Sequence, residues 1–126
     1  MKKIIQTNSA PSPIGPYSQA VVAGNMLYIS GQIAIKPETG NLVMDSIEME
    51  THQVMNNLKE ILTAAGSNFS QVVKTSIFLK DMKQFAQVNA VYGSYFSSDF
   101  PARETVQVSV LPKEVNVEIS MIAVLS

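Results

Sequence analysis

The chain has 126 residues, a formal net charge of −1, one histidine and no cysteine. This rules out a disulfide framework, a thiolate nucleophile and a multi-histidine metal site, and the absence of a long basic run argues against binding dominated by nucleic acid phosphates. Hydrophobic residues make up 46% and charged residues only 15%, against about a quarter charged in ordinary domains, which points to a large core or, the stronger reading, to a surface partly covered by other copies of the chain.

The length suits one domain over residues 1–126. "KKIIQT" reads as a short strand, followed by "NSAPSPIGPYSQ", a loop rich in turn-forming Pro, Ser and Gly. No residue from Ile4 to Ile35 is charged, yet Pro11, Pro13 and Pro16 break the run and no 18-residue apolar window exists. The "MKK" opening lacks the apolar region of a signal peptide, so a cytoplasmic protein is expected. "AVVAGNMLYISGQIAI" reads as two strands around a tight turn at Gly24-Asn25. "KPETGN" is a further turn.

A helix follows. Asp45 or Ser46 can cap it, and Glu48 stands at the capping-box spacing from Asp45. Ile47, Thr51, Val54, Met55, Leu58, Ile61, Leu62 and Ala65 recur at helical spacing, and Gly66 ends the run. "VVKTSIFLK" is the next strand. Asp81 can cap a second helix with an apolar face of Phe85, Val88, Tyr92, Tyr95 and Phe96. "TVQVSVL" and "NVEISMIAVL" alternate as strands do, and "PKE" between them suggests a hairpin. The order is strands, helix, strand, helix, strands, an α+β class with two helices packed on one face of a mixed sheet.

Arg103 is the one arginine among nine Lys and Arg residues. Its planar donor fork matches a carboxylate in two-point contact, which lysine cannot do. Period-2 alternation puts Arg103, Thr105, Gln107 and Ser109 on one strand face. That face is either a binding surface or an ordinary solvated one, with Arg103 paired to an acid such as Glu104. Glu118 is the only acid of the last strand: a solvated edge residue, one of an ion pair, or a partly desolvated base. A hairpin register with 110 opposite 115 sets Glu118 across from Gln107, in one region with Arg103. Asn89 bonds the sheet or points into a pocket. Ser30-Gly31 is an ordinary strand end or a place where the glycine lets a backbone N–H approach a ligand. Tyr17 is a lid or a core plug. His52, one position off the helix stripe, reads as a surface residue.

The segments "SPIGPYSQA", "YISGQI", "FAQVNAVYGSYF", "FPARETVQV" and "LPKEVNVEISMIAV" together resemble the reactive intermediate deaminase (Rid, YjgF-like) family over essentially the whole chain. The resemblance implies a chorismate-mutase-like α+β fold, a homotrimer and sites in intersubunit clefts. It implies a deaminase without cofactor or metal. Such an enzyme hydrolyses enamine and 2-imino acid intermediates, 2-iminobutanoate and 2-iminopropanoate among them, which pyridoxal-phosphate enzymes release. The products are 2-keto acids and ammonia, with isoleucine biosynthesis a natural setting. By resemblance Arg103 clamps the substrate carboxylate and Glu118 positions the water. Tyr17, Ser30, the Gly31 backbone and Asn89 line the pocket. Thr105 stands where many members carry cysteine, and its hydroxyl can still hydrogen-bond a ligand. Ser120 stands where relatives often carry a second acid. The competing reading is a regulatory trimer that binds a 2-keto acid without turnover. Neither reading calls for a nucleic acid or membrane partner. A nuclease role, attached to some relatives, has no basic patch or histidine acid/base pair behind it here.

Overall fold

The computed structural model describes residues 1–125. In chain order it contains β1 (Lys2–Ile5), β2 (Ala20–Ala23), β3 (Met26–Gln32), α1 (Ile47–Ala64), β4 (Val72–Leu79), α2 (Phe85–Gly93), β5 (Ala102–Gln107) and β6 (Val117–Val124). The strands form one six-stranded sheet in the order β1-β2-β3-β6-β4-β5. Only β4 and β5 pair in parallel, joined by the α2 crossover. The two helices cover one face, where residues of α1, α2 and the central strands share a buried cluster. Among the described residues, no α-helix lies over the opposite face.

Local chemistry accounts for the element ends. Ala23 pairs with Met26, leaving a two-residue turn, and Gly24 takes the positive φ of 62° that this turn requires. Ser46, rather than Asp45, caps α1. Its Oγ accepts the Met49 N–H at 3.1 Å, satisfying one of the free amides of the first turn. Gly66, at φ 76°, lets the chain turn back so that the Ser67 N–H reaches the Leu62 carbonyl at 2.8 Å. The α1 stripe lies in the core as its spacing predicts. Leu58, Ile61 and Leu62 are fully buried, and each such side chain contributes about 1.5–3 kcal/mol. Asp81 caps a short turn over Met82–Gln84 that leads into α2. Tyr95 and Phe96 lie just beyond the end of α2 but still pack on the core.

The expected hairpin between the last two strands does not form. β4 lies between β5 and β6, parallel to one and antiparallel to the other. Gln107 pairs with Leu79, which pairs with Val117; Glu118 instead pairs with Phe78. The nearest neighbour in sequence therefore lost to β4, whose apolar positions on both faces suit a central strand. β5 also begins earlier than its alternation suggests, so Arg103 lies within it, and it ends before Val108.

The consequence reaches the site. Val117, Ile119 and Met121 face the helices and are at most 2% exposed. Alternation turns Glu118 and Ser120 to the bare face. Arg103 pairs with Thr75, a fully buried residue whose Oγ1 accepts the Tyr92 hydroxyl of α2 at 3.0 Å. Arg103 thus lies on the helix side. The single region expected to hold Arg103 and Glu118 is two regions, one on each face of the sheet.

Candidate active site in two halves

The first half is built on the parallel edge. Arg103 Nη1 donates to Asn89 Oδ1 at 2.8 Å. The guanidinium carbon lies 5.1 Å from the Tyr92 ring centroid and 5.6 Å from that of Phe85, within cation–π range. Asn89 and Tyr92 sit three apart on α2, so one helix face supplies both the acceptor and the ring. Burial raises the Tyr92 hydroxyl above its ordinary pKa, against the opposing effects of its Thr75 hydrogen bond and the Arg103 charge. The phenol therefore stays neutral and serves as a wall. Asn89, Tyr92, Gly93, Phe100, Pro101 and Arg103 line a cleft of about 370 Å³.

Arg103 has no carboxylate partner among the described residues. Glu104 faces the other way, pairs with Lys74 at 3.0 Å and accepts a hydrogen bond from Ser76. The Glu104–Arg103 pair considered from the sequence is absent for that reason. Asn89 likewise bonds the guanidinium rather than the sheet backbone. Beside Arg103 on the same face, Thr105 Oγ1 is buried without a hydrogen-bond partner among the described residues. A buried hydroxyl in that state is unusual and calls for an explanation.

The second half is on the bare face. Between Ile29 and Gln32 the β3–β6 register shifts, a bulge that re-aims Ser30 and Gly31. Glu118 lies directly over Gly31. A β-carbon at residue 31 would collide with Glu118 Oε2 and lie 2.8 Å from Cδ. With the carboxyl group in this position there is no room for a β-carbon at residue 31, so Gly31 serves by its missing side chain. Half-buried and without an ion-pair partner among the described residues, Glu118 has its pKa raised by desolvation. Ser30 is bound on both sides: its N–H donates to the Gln19 carbonyl at 2.9 Å and its Oγ to the Ser18 carbonyl at 2.6 Å. Tyr17, 49% exposed, stands at the rim, where its hydroxyl accepts the Ile14 N–H at 3.3 Å. It is not a core plug. Glu118, Gly31, Ser30 and Tyr17 line a second cleft of about 370 Å³, with Ile14, Ile33, Ile35 and Pro112 as its apolar wall.

Of the residues singled out in the sequence, Arg103, Asn89 and Thr105 lie together, and Tyr17, Ser30, Gly31 and Glu118 lie together. The structure does not join the two sets within one chain. His52 is exposed, its Nδ1 2.8 Å from the Tyr95 hydroxyl. Two residues were missed. Gln19, 3% exposed, clamps the uncharged loop by accepting the Thr7 N–H at 2.7 Å and donating to the Thr7, Ala10 and Pro11 carbonyls. Glu50, fully buried, occupies a position three after Ile47 and four before Val54. A charged residue on an apolar stripe was the available signal. Among the described residues, no cluster of three His, Cys, Asp or Glu could hold a metal ion, and no helix is long and apolar enough to cross a membrane.

Comparison with known proteins is consistent with this architecture. The family model described as Endoribonuclease L-PSP matches residues 7–125. A RutC family protein of Pyrococcus horikoshii is 53% identical over 98% of this chain and 98% of its own. The human 2-iminobutanoate/2-iminopropanoate deaminase is 46% identical, with 98% of this chain and 90% of the relative covered. The crystal structure of Escherichia coli TdcF with bound serine superposes with a TM-score of 0.94 at 40% identity, over 98% of this chain and 99% of that one. The fold is the chorismate-mutase-like α+β fold of the Rid proteins. The chain belongs to the Rid (YjgF-like, RutC) family.

Proposed function

We propose that this protein is a cofactor-independent imine deaminase acting on 2-imino acids such as 2-iminobutanoate and 2-iminopropanoate, in a site completed between copies of the chain. The observation that carries the reading is Arg103, a guanidinium fixed by Asn89 and two rings and left without a carboxylate among the described residues. A substrate carboxylate is its complement in charge and shape. The human relative's name states the same substrate class.

Holding the carboxylate fixes the imine carbon in place. Glu118, ionised, accepts a hydrogen bond from water and takes its proton as the water oxygen bonds to C2. The C=N π pair moves to nitrogen. Proton transfer to that nitrogen makes ammonia the leaving group, and the C–N bond breaks as the hydroxyl becomes the keto carbonyl. The imine is already electrophilic, so two positioned side chains suffice.

One small substrate cannot touch both faces of a sheet. The reading therefore requires a second copy, the arrangement expected of a homotrimer. The low charge content, the exposed Tyr28 and Val106 on the bare face, and Phe100 at the mouth of the Arg103 cleft all support association. The reading requires the Arg103 edge of one copy to pack against the bare face of the next, with guanidinium and carboxyl across one cleft.

The second reading is ligand binding without turnover, favoured by the serine bound to TdcF. A coupled assay separates the two. Threonine dehydratase generates 2-iminobutanoate from threonine, and 2-ketobutyrate formation is followed with semicarbazide present as the competing trap. Acceleration by wild type and not by Arg103→Ala is expected. No acceleration by the folded wild type overturns the deaminase reading in favour of binding.

A further inference from the structure

Glu50 is a carboxyl group at 0% exposure with no basic partner among the described residues. Burying such a group is unfavourable unless its oxygens are fully bonded. They are bonded to one place. Oε2 accepts the Asn116 N–H at 2.8 Å and the Val117 N–H at 3.3 Å, and Oε1 accepts from Asn116 Nδ2 at 2.8 Å. Asn116 completes the knot by accepting the Lys80 N–H at 3.0 Å. The start of α1, the end of β4 and the start of β6 are thus tied at one residue.

That residue closes a strained turn. Lys113 and Glu114 both have φ 55°, the left-handed region that non-glycine residues keep only when their surroundings hold them there. The turn is anchored at its other points by Leu111 and Val115, buried against Ile33 and Ile35. Pro112 of the turn, Ile33 and Ile35 wall the Glu118 cleft, and Glu118 follows Val117 directly.

We infer that Glu50 is a positioning residue for the catalytic carboxyl group: from the helix side of the sheet it fixes the turn over 112–116 and the first residues of β6, and so holds Glu118 over Gly31 and Pro112 in the cleft wall. The role rests on the deaminase reading for its consequence in turnover, but the placement of Glu118 can be read without turnover.

The test uses the full chain and three variants. Glu50→Ala removes all three acceptor contacts. Glu50→Gln keeps an oxygen for the two backbone amides, and Asn116 can turn its own amide to meet the new NH₂. Asn116→Ala removes one contact and leaves the buried carboxyl its backbone donors. Folded protein is measured by circular dichroism, and rates are expressed per folded chain. Glu50→Ala is expected to lower kcat on 2-iminobutanoate on the order of tenfold to a hundredfold with KM little changed, because misplacement of the group costs rate rather than binding. Asn116→Ala is expected to lower kcat roughly fivefold, the effect of one hydrogen bond. Glu50→Gln should recover most of the rate.

Alongside, ¹³C-carboxyl NMR follows the titration of Glu118. Its midpoint should move towards that of an ordinary glutamate in Glu50→Ala and Asn116→Ala and hold in Glu50→Gln. A stabilising residue with no positioning role would lower thermal stability and leave both readouts where they were. Unchanged kcat and an unmoved Glu118 midpoint in folded Glu50→Ala overturn the inference. Should Glu50→Ala fail to fold, Asn116→Ala decides it on the same two measures. If wild type does not hydrolyse the imine, the deaminase reading falls, and the titration still decides whether Glu50 seats Glu118.

Discussion

The two clefts are about equal in volume and opposite in construction. On the helix side the charge is permanent. Arg103 is backed by aromatic rings and an amide, partners that leave a cation its charge and limit its motion. On the bare face the charge is conditional. Glu118 lies in an apolar cleft over a glycine, and desolvation raises its pKa. One half is suited to holding an anion and the other to taking up a proton. A single chain keeps them on opposite sides of a sheet, so neither half performs the proposed reaction alone.

Substitutions at Arg103 should disable the helix-side half most severely. Arg103→Ala should lose roughly 2–5 kcal/mol of substrate binding, the cost of removing one partner from a charged contact, seen as a collapse of kcat/KM. Arg103→Lys should recover little, since an ammonium lacks the planar fork. A lysine variant as active as wild type would show that a bare charge is enough.

Glu118→Gln should lower kcat by about a hundredfold or more while titration with 2-ketobutyrate shows ligand affinity near that of wild type. Loss of affinity without loss of rate would reverse the assigned roles. The pH dependence has a definite sign. Activity should rise with pH through a midpoint above that of an ordinary glutamate, because the base must be ionised. Stability runs the other way. A carboxyl with raised folded-state pKa binds its proton more tightly when folded, so its contribution is fully present below the unfolded pKa and is lost as pH rises through the folded one. Glu118→Gln should therefore lose less Tm than wild type between acidic and neutral pH, and paired thermal melts would check this.

Gly31→Ala touches the bare-face half alone. Its methyl group takes the place of the Glu118 carboxyl, the far end of a flexible side chain, so the carboxyl should swing aside at little cost in stability and kcat should fall while Arg103-dependent binding is spared. Asn89→Ala is the mildest change. It frees the guanidinium of one guide without removing it, and kcat/KM should fall on the order of tenfold, within the range for a hydrogen bond to a charged group. A larger effect than Arg103→Lys would mean that Asn89 touches the substrate itself.

Much of the fold was legible because its signals are local. The Gly24 turn, the α1 stripe, Gly66 and the alternation of β6 each depend on residues within one turn or one strand. The candidate side chains were legible by type, since a lone arginine and a lone strand acid stand out in a chain with 15% charged residues. Glu50 was not, because its partners, Asn116 and Val117, lie far along the chain.

Local patterning is enough for the main elements, the α+β class and the residues that differ chemically from their surroundings. The sequence also carried the family resemblance that the comparisons bear out. Tertiary structure alone decided where those residues meet. Strand order is a long-range choice: inserting β4 between β5 and β6 moves Glu118 from the Gln107 row to the Phe78 row. Because side chains alternate every residue, that one-residue difference in row sends the carboxyl to the opposite face from Arg103. Local propensity is the same for either arrangement. The packing of a whole sheet against two helices selects between them.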